Sequence, residues 1–192
     1  MPICFRHKIH VVQLKKDMKK LIKVSAMLLV AVVAAVLILE FTSSYTTSGN
    51  VNQDAPVKTL QSIRIHASSQ KVYAVFTNVQ KWPEWQKEIT AAKLNGPLQP
   101  GSFIEWSTAG MNIKSTLQTV KTNQQIGWCG KAFGAFAIHT WQFKQEDGYT
   151  TVLVNESMEG WLVKLMKGYF QKNLNIATKN WLQALKNEAE KG

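Results

Sequence analysis

The chain has 192 residues, 45% of them apolar and 18% charged, with a formal net charge of +11. Residues 1–23 hold seven basic side chains against the single acid Asp17, and the remaining positive charge is scattered without a basic stripe. Phosphate recognition needs a clustered footprint, so nucleic acid is not an expected partner, and a mild attraction to anionic lipid headgroups is the more natural consequence.

The first element in chain order is an apolar segment. Residues 24–39 are apolar apart from Ser25, they follow the basic run Arg6, Lys8, Lys15, Lys16, Lys19, Lys20 and Lys23, and no basic residue appears again until Lys58. The positive-inside rule then keeps the N-terminus in the cytoplasm and sends everything after Phe41 across the membrane. At about 1.5 Å per residue the run spans roughly 24 Å, short of the ~30 Å hydrocarbon core yet longer than a typical signal-peptide core. No A-x-A-like cleavage site follows, and Glu40 stands where small residues belong, which favours an uncleaved anchor. The alternative is removal at the weak Thr42-Ser43-Ser44 and a secreted or periplasmic domain. No Cys stands directly after the run, so it does not read as a lipoprotein signal. Met18-Lys19-Lys20-Leu21-Ile22-Lys23 would itself serve as a signal n-region, making Met18 an alternative start; N-terminal sequencing of the precursor decides this. Cys4 and Cys129 fall on opposite sides of the segment and cannot pair within one chain. The histidines His7, His10, His66 and His139 include no pair on one face of an element, so no metal or other cofactor is expected.

Four regions follow: a basic N-terminus (1–23), a membrane segment (24–41), a Ser/Thr/Asn-rich stretch without apolar periodicity that reads as a flexible linker (42–57), and one domain (58–192). Within the domain, residues 60–65 alternate as a strand. Ser68 or Ser69 then caps a short helix carrying Val72, Val75, Phe76 and Val79, and Pro83 opens a further helical turn bearing Trp82 and Trp85. That Trp82-Pro83-Glu84-Trp85 turn reads as packing between helices more readily than as a lid. Strands are predicted at 89–94, 102–108, 111–121, 125–131, 135–145 and 149–158, punctuated by Gly96-Pro97, Pro100-Gly101, Ala109-Gly110 and Asp147-Gly148.

Two of these turns fix register. A two-residue primed turn needs positive φ at both central positions, which Asp-Gly supplies. Centring it on Asp147-Gly148 sets Phe143 opposite Val152, Trp141 opposite Val154 and His139 opposite Glu156, all on one face. That face is apolar and therefore buried, so it carries His139 and Glu156 inward. The Ala109-Gly110 turn likewise sets Trp106 opposite Ile113 and Ile104 opposite Ser115. After Gly160, residues Leu162, Leu165, Met166, Tyr169, Asn173, Ile176, Ala177, Trp181, Ala184 and Leu185 recur at helical spacing, which predicts one helix of about eight turns lying on the inward face of the sheet. Its lysines Lys164, Lys167, Lys172, Lys179 and Lys186 read as a solvated face, with membrane docking as the other option.

Ile63-Arg64-Ile65-His66-Ala67-Ser68-Ser69-Gln70-Lys71-Val72-Tyr73, Asn78-Val79-Gln80-Lys81-Trp82-Pro83-Glu84-Trp85, Gly96-Pro97-Leu98-Gln99-Pro100-Gly101 and His139-Thr140-Trp141-Gln142-Phe143, in this order, resemble the START-like, helix-grip superfamily SRPBCC, in particular its polyketide cyclase/dehydrase and lipid-transport branch. The resemblance covers about residues 60–190. It implies an α+β helix-grip fold, in which a curved antiparallel sheet of about seven strands grips a long C-terminal helix around a hydrophobic ligand cavity. It does not imply one activity.

The residues themselves place Trp106, Trp128, Trp141, Met158, Met166 and Tyr169 between sheet and helix, with His139, Glu156 and Ser115 as converging polar groups. These nine are the candidate ligand-binding residues. Large flat side chains suit a ligand wall better than a tightly filled core, although each singly is also ordinary core. Three readings stand for His139 and Glu156: a mutually satisfied structural contact, orientation of a ligand hydroxyl or carboxyl, or acid/base catalysis of cyclase type. The expected partners are a hydrophobic small molecule or lipid and the membrane itself.

Overall fold

The computed structural model describes residues 3–191, with side chains described from Leu14 onward; those of Cys4, His7 and His10 lie outside the described residues. Two compact units divide between Ser43 and Ser44. The first is one helix, α1 (Ile3–Thr42), whose stretch Leu14–Thr42 is long and apolar enough to cross a membrane and is nowhere buried in protein.

The second unit runs β1 (Val57–Ile65), α2 (Ser69–Thr77), a 3-10 turn (Val79–Lys81), α3 (Trp82–Trp85), β2 (Ile89–Asn95), β3 (Phe103–Thr108), β4 (Met111–Lys121), β5 (Gln125–Ala132), β6 (Ala135–Glu146), β7 (Tyr149–Glu159), α4 (Trp161–Leu165) and α5 (Lys167–Ala189). The strands form one antiparallel sheet in the order β1-β7-β6-β5-β4-β3-β2. Because β1 and β2 are opposite edges, their connection through α2 and α3 must cross the full width of the sheet. With α5 packed along β1, that crossing closes the inner face. This is a helix-grip fold of the α+β class.

Turn chemistry sets the register as expected. Asp147 and Gly148 have φ of 37° and 80°, Ala109 and Gly110 have 49° and 76°, and the pairs Phe143–Val152, Trp141–Val154, His139–Glu156, Trp106–Ile113 and Ile104–Ser115 all form. Ser68 caps α2, its hydroxyl accepting from the Lys71 N–H at 3.2 Å. The inner face then packs around Phe76, which is fully buried and meets the rings of Trp141, Phe143, Trp82, Trp128 and Trp181 at centroid distances of 4.4–6.1 Å. Trp82 donates from Nε1 to the Phe76 carbonyl at 2.7 Å, which explains how an indole sits at 1% exposure without an orphaned N–H.

The C-terminal helix differs from the single eight-turn helix read from the sequence. It breaks at Met166 (φ −116°, ψ 37°) into α4 and α5. In α4 the buried residue is Val163, which joins Val57, Ala135 and Leu174 in a small cluster at one end of the sheet. A straight helix would hold Val163 and Leu174 about 16 Å apart; the break lets α4 dock on that end while α5 turns to lie along β1. Leu165, Met166, Tyr169 and Ile176 are exposed in consequence, and the buried stripe of α5 is Leu174, Thr178, Leu182, Leu185 and Ala189.

Residues 45–55, taken above as part of a flexible linker, lie against the outer face of the sheet. Tyr45 stacks on Phe136 (5.1 Å, 9°), the Gly49 carbonyl accepts from Thr140 Oγ1, and Asn52 is held by Ser157 Oγ and Glu159 Oε2. The stretch lacks apolar periodicity because these contacts are polar and backbone-mediated; Tyr45 is its one large anchor. Beneath it Cys129, 3% exposed, packs with Phe136 and Ile138. Burial pushes the Cys129 thiol above its ordinary range, more than the hydrogen bonds from Ser48 and Gln118 lower it. Since the fold favours the protonated thiol, that part of its stability is intact below the ordinary thiol range and lost as pH rises through it towards the raised value. In a Cys4→Ser protein, Cys129 is expected to react with iodoacetamide at least ~10-fold more slowly than a free thiol at neutral pH, and at the free rate once unfolded. Mass-spectrometric timing of alkylation checks this.

Candidate functional site

The hydrogen-bonded pair at the centre of the inner face comes from β6 and β7. His139 Nδ1 lies 3.0 Å from Glu156 Oε2, with side chains 15% and 10% exposed, and the imidazole stacks on Trp128 at 5.1 Å and 20°. With Nδ1–H donating to the carboxylate, neutral His139 presents Nε2 as an acceptor. The pair borders a cleft of about 110 Å³ between sheet and helix, walled by Trp82, Trp106, Trp128, Trp141 and Trp181 and closed from α5 by Leu174, Ala177 and Thr178. Three buried groups of this wall have no hydrogen-bond partner: Trp128 Nε1, Trp141 Nε1 and Thr178 Oγ1. Each leaves a desolvated polar group uncompensated, at a cost of about 1–3 kcal/mol, and their gathering around one cleft is a chemical feature of the site.

Trp106 also borders a second, open groove of about 410 Å³ formed by β2, β3 and β4, six of whose nine lining residues, Ala91, Lys93, Glu105, Ser107, Asn112 and Lys114, alternate to the outer face of the sheet. The Trp106 indole N–H donates to Ser115 Oγ at 3.1 Å. Ser115, 1% exposed, is thus a support for Trp106 and is not part of the cleft wall.

Of the nine sequence-derived ligand residues, the structure brings Trp106, Trp128, His139, Trp141 and Glu156 together around the cleft. Met158 lies on the inner face against the Val57–Ala135–Val163–Leu174 cluster, outside the cleft. Met166 and Tyr169 are corrected: they are 42% and 62% exposed, because the break at Met166 turns this stretch off the sheet. Sequence reasoning missed Trp82, Trp181 and Thr178 as wall residues. Trp181 was on the apolar stripe, and a polar Thr at a buried stripe position was the available signal for Thr178. Among the described residues no three His, Cys, Asp or Glu side chains come together as metal ligands.

A seven-stranded antiparallel sheet gripping a C-terminal helix over an aromatic cleft with a central polar pair defines a START-like protein of the SRPBCC superfamily. The profile of the polyketide cyclase / dehydrase and lipid transport family matches residues 56–190, and the chain belongs to that family. No curated protein matches the chain at a significant level. Among solved structures, a hypothetical protein from Helicobacter pylori superposes with a TM-score of 0.64 at 16% identity, covering 77% of this chain and 100% of its own. A START superfamily protein from Mycobacterium smegmatis gives 0.61 at 13% identity, covering 69% and 97%. The Zhui aromatase/cyclase from Streptomyces sp. R1128 gives 0.61 at 12%, covering 69% and 93%. At such identities the likeness is one of fold.

Proposed function

We propose that the domain binds an apolar small molecule or lipid bearing an oxygen function, held by the walls of the tryptophan cleft and oriented by His139 and Glu156. The observation that carries this reading is the set of unpartnered donors, Trp128 Nε1, Trp141 Nε1 and Thr178 Oγ1, around the same cleft as the His139–Glu156 pair. Buried polar groups in a filled core are as a rule paired, and of the six unpaired ones among the described residues three stand beside this histidine and carboxylate, the others being Tyr73 Oη, Trp85 Nε1 and Gln86 Nε2. A carbonyl or hydroxyl oxygen supplies the acceptor these groups lack. The cleft itself holds only the volume of a few water molecules at ~30 Å³ each, so a drug-sized ligand requires its tryptophan walls to move apart. The basic N-terminus ahead of an apolar helix supports a membrane-anchored chain with this domain outside the cytoplasm.

Native mass spectrometry of the detergent-solubilised full chain, with organic extraction of what co-purifies, tests the reading. A stoichiometric oxygen-bearing apolar molecule supports it. A chain that is empty and takes up no fluorescent fatty acid favours a filled, structural core. His139→Ala is expected to lower ligand retention by up to ~10-fold, the worth of one neutral hydrogen bond, with unfolding little changed; unchanged retention with lost stability would return the pair to a structural role. The pair also supports a second reading, since a carboxylate-oriented imidazole can move protons, and the neighbour named an aromatase/cyclase has this fold. Conversion of a bound poly-β-keto compound, lost in Glu156→Gln while binding persists, would favour it.

A further inference from the structure

Six consecutive residues at the α4–α5 break, Lys164, Leu165, Met166, Lys167, Gly168 and Tyr169, are all exposed, with Leu165 at 75% and Tyr169 at 62%. Beside them stands Phe133, 60% exposed at the tip of the β5–β6 turn, its ring edge-on to Trp161 at 5.4 Å. The two pieces are locked together, since the Leu162 N–H donates to the Gly134 carbonyl at 3.1 Å. Apolar side chains this exposed work against solubility unless something covers them. Their interleaving with lysines is what a bilayer interface rewards: aromatic and aliphatic groups enter the headgroup boundary while ammonium groups meet lipid phosphates. No acid lies in residues 160–170, and the nearest in sequence, Glu159, is engaged by Asn52. Connectivity selects the same end. Tyr45, three residues beyond the last residue of α1, stacks on Phe136, which pairs with Glu159 at this end of the sheet. The chain therefore joins the domain at the end that carries Phe133 and α4.

We infer that Phe133 and residues 164–169 form a docking surface for an anionic lipid bilayer, seating the domain on the membrane by the β5–β6 and α4–α5 end. This surface is independent of whether the cleft holds a ligand. The test uses the full chain reconstituted in vesicles of phosphatidylcholine mixed with phosphatidylglycerol. Single cysteines at Phe133→Cys, Leu165→Cys and, at the opposite end of the sheet, Asp147→Cys are introduced on a Cys4→Ser background and labelled with a polarity-sensitive dye, Cys129 being buried. Dyes at 133 and 165 are expected to shift to the blue and to be quenched by nitroxide carried on lipid acyl chains, while the dye at 147 reports water. Lys164→Glu with Lys167→Glu is expected to weaken that quenching, by about five-fold in partition for each lysine lost, and pure phosphatidylcholine to weaken it as well. Water-like emission at 133 and 165 in a chain whose circular dichroism is native overturns the inference. So does a blue shift without lipid quenching, the result that contact with a second copy of the chain would give.

Discussion

Phe76→Ala is expected to destabilise the domain by about 3–5 kcal/mol, the cost of removing a fully buried ring and leaving a partly collapsed cavity. The site cannot close readily. Phe76 comes from α2 and is enclosed by Trp82, Trp128, Trp141, Phe143 and Trp181, which belong to four other elements, α3, β5, β6 and α5. Rigid indoles anchored in separate elements have little freedom to fill the gap. Thermal unfolding of the full chain in detergent should show a drop in midpoint of roughly 10 °C or more, and Phe76→Leu should cost much less, about 1–2 kcal/mol. A loss below ~1 kcal/mol for the alanine variant would mean that the aromatic cluster repacks freely. The cavity also has a direction. Trp82, Trp128, Trp141 and Trp181 touch Phe76 and line the cleft, so deleting the ring extends the cleft inward. A bound apolar ligand should therefore recover part of the lost midpoint in Phe76→Ala, because binding to the folded state alone stabilises it by mass action.

The hairpins were legible because two constraints coincide in the residues. Asp147-Gly148 and Ala109-Gly110 tolerate the positive φ that a tight turn imposes, and strict alternation then assigns every neighbour to a face, which is how His139 and Glu156 could be paired from letters alone. The break at Met166 was not legible. Leu162, Leu165, Met166 and Tyr169 keep helical spacing whether they face a sheet or face outward, and periodicity reports a stripe without naming what it touches. The stretch from Tyr45 to Ala55 was hidden for the opposite reason: its bonds run through backbone and short polar side chains, which resemble a tether in composition. Cleft volume was equally out of reach, because it depends on how five indoles pack and not on their presence. Thr178 shows the limit most plainly. Its place on α5 follows from phase, but its lack of a partner follows only from the packed geometry.

Gly160→Ala is expected to cost at least about 3 kcal/mol, well above the ~1 kcal/mol expected for Gly148→Ala, although both glycines have positive φ. Gly148 is an open turn position with nothing near an added Cβ, so its penalty is backbone strain alone. Gly160 has φ 132° and ψ 167°, a region essentially reserved for glycine, and a Cβ there would drive into the Gly134 carbonyl oxygen and lie 3.0 Å from Ala135 Cα. Both obstacles are main chain and cannot swing aside. Relief would require β7 and the β5–β6 turn to separate, which strains the Gly134 carbonyl's bond from Leu162 N–H and with it the seat of α4. Hydrogen exchange should then show the Leu162 amide and the amides of α4 losing protection before those of β6 and β7, and the Phe133–Trp161 contact should loosen with them. Equal costs for the two alanine variants would show that the junction yields. A junction that yields could not fix the angle at which α4 leaves the sheet, and α5 would then need another restraint to hold Leu174 and Thr178 over the cleft.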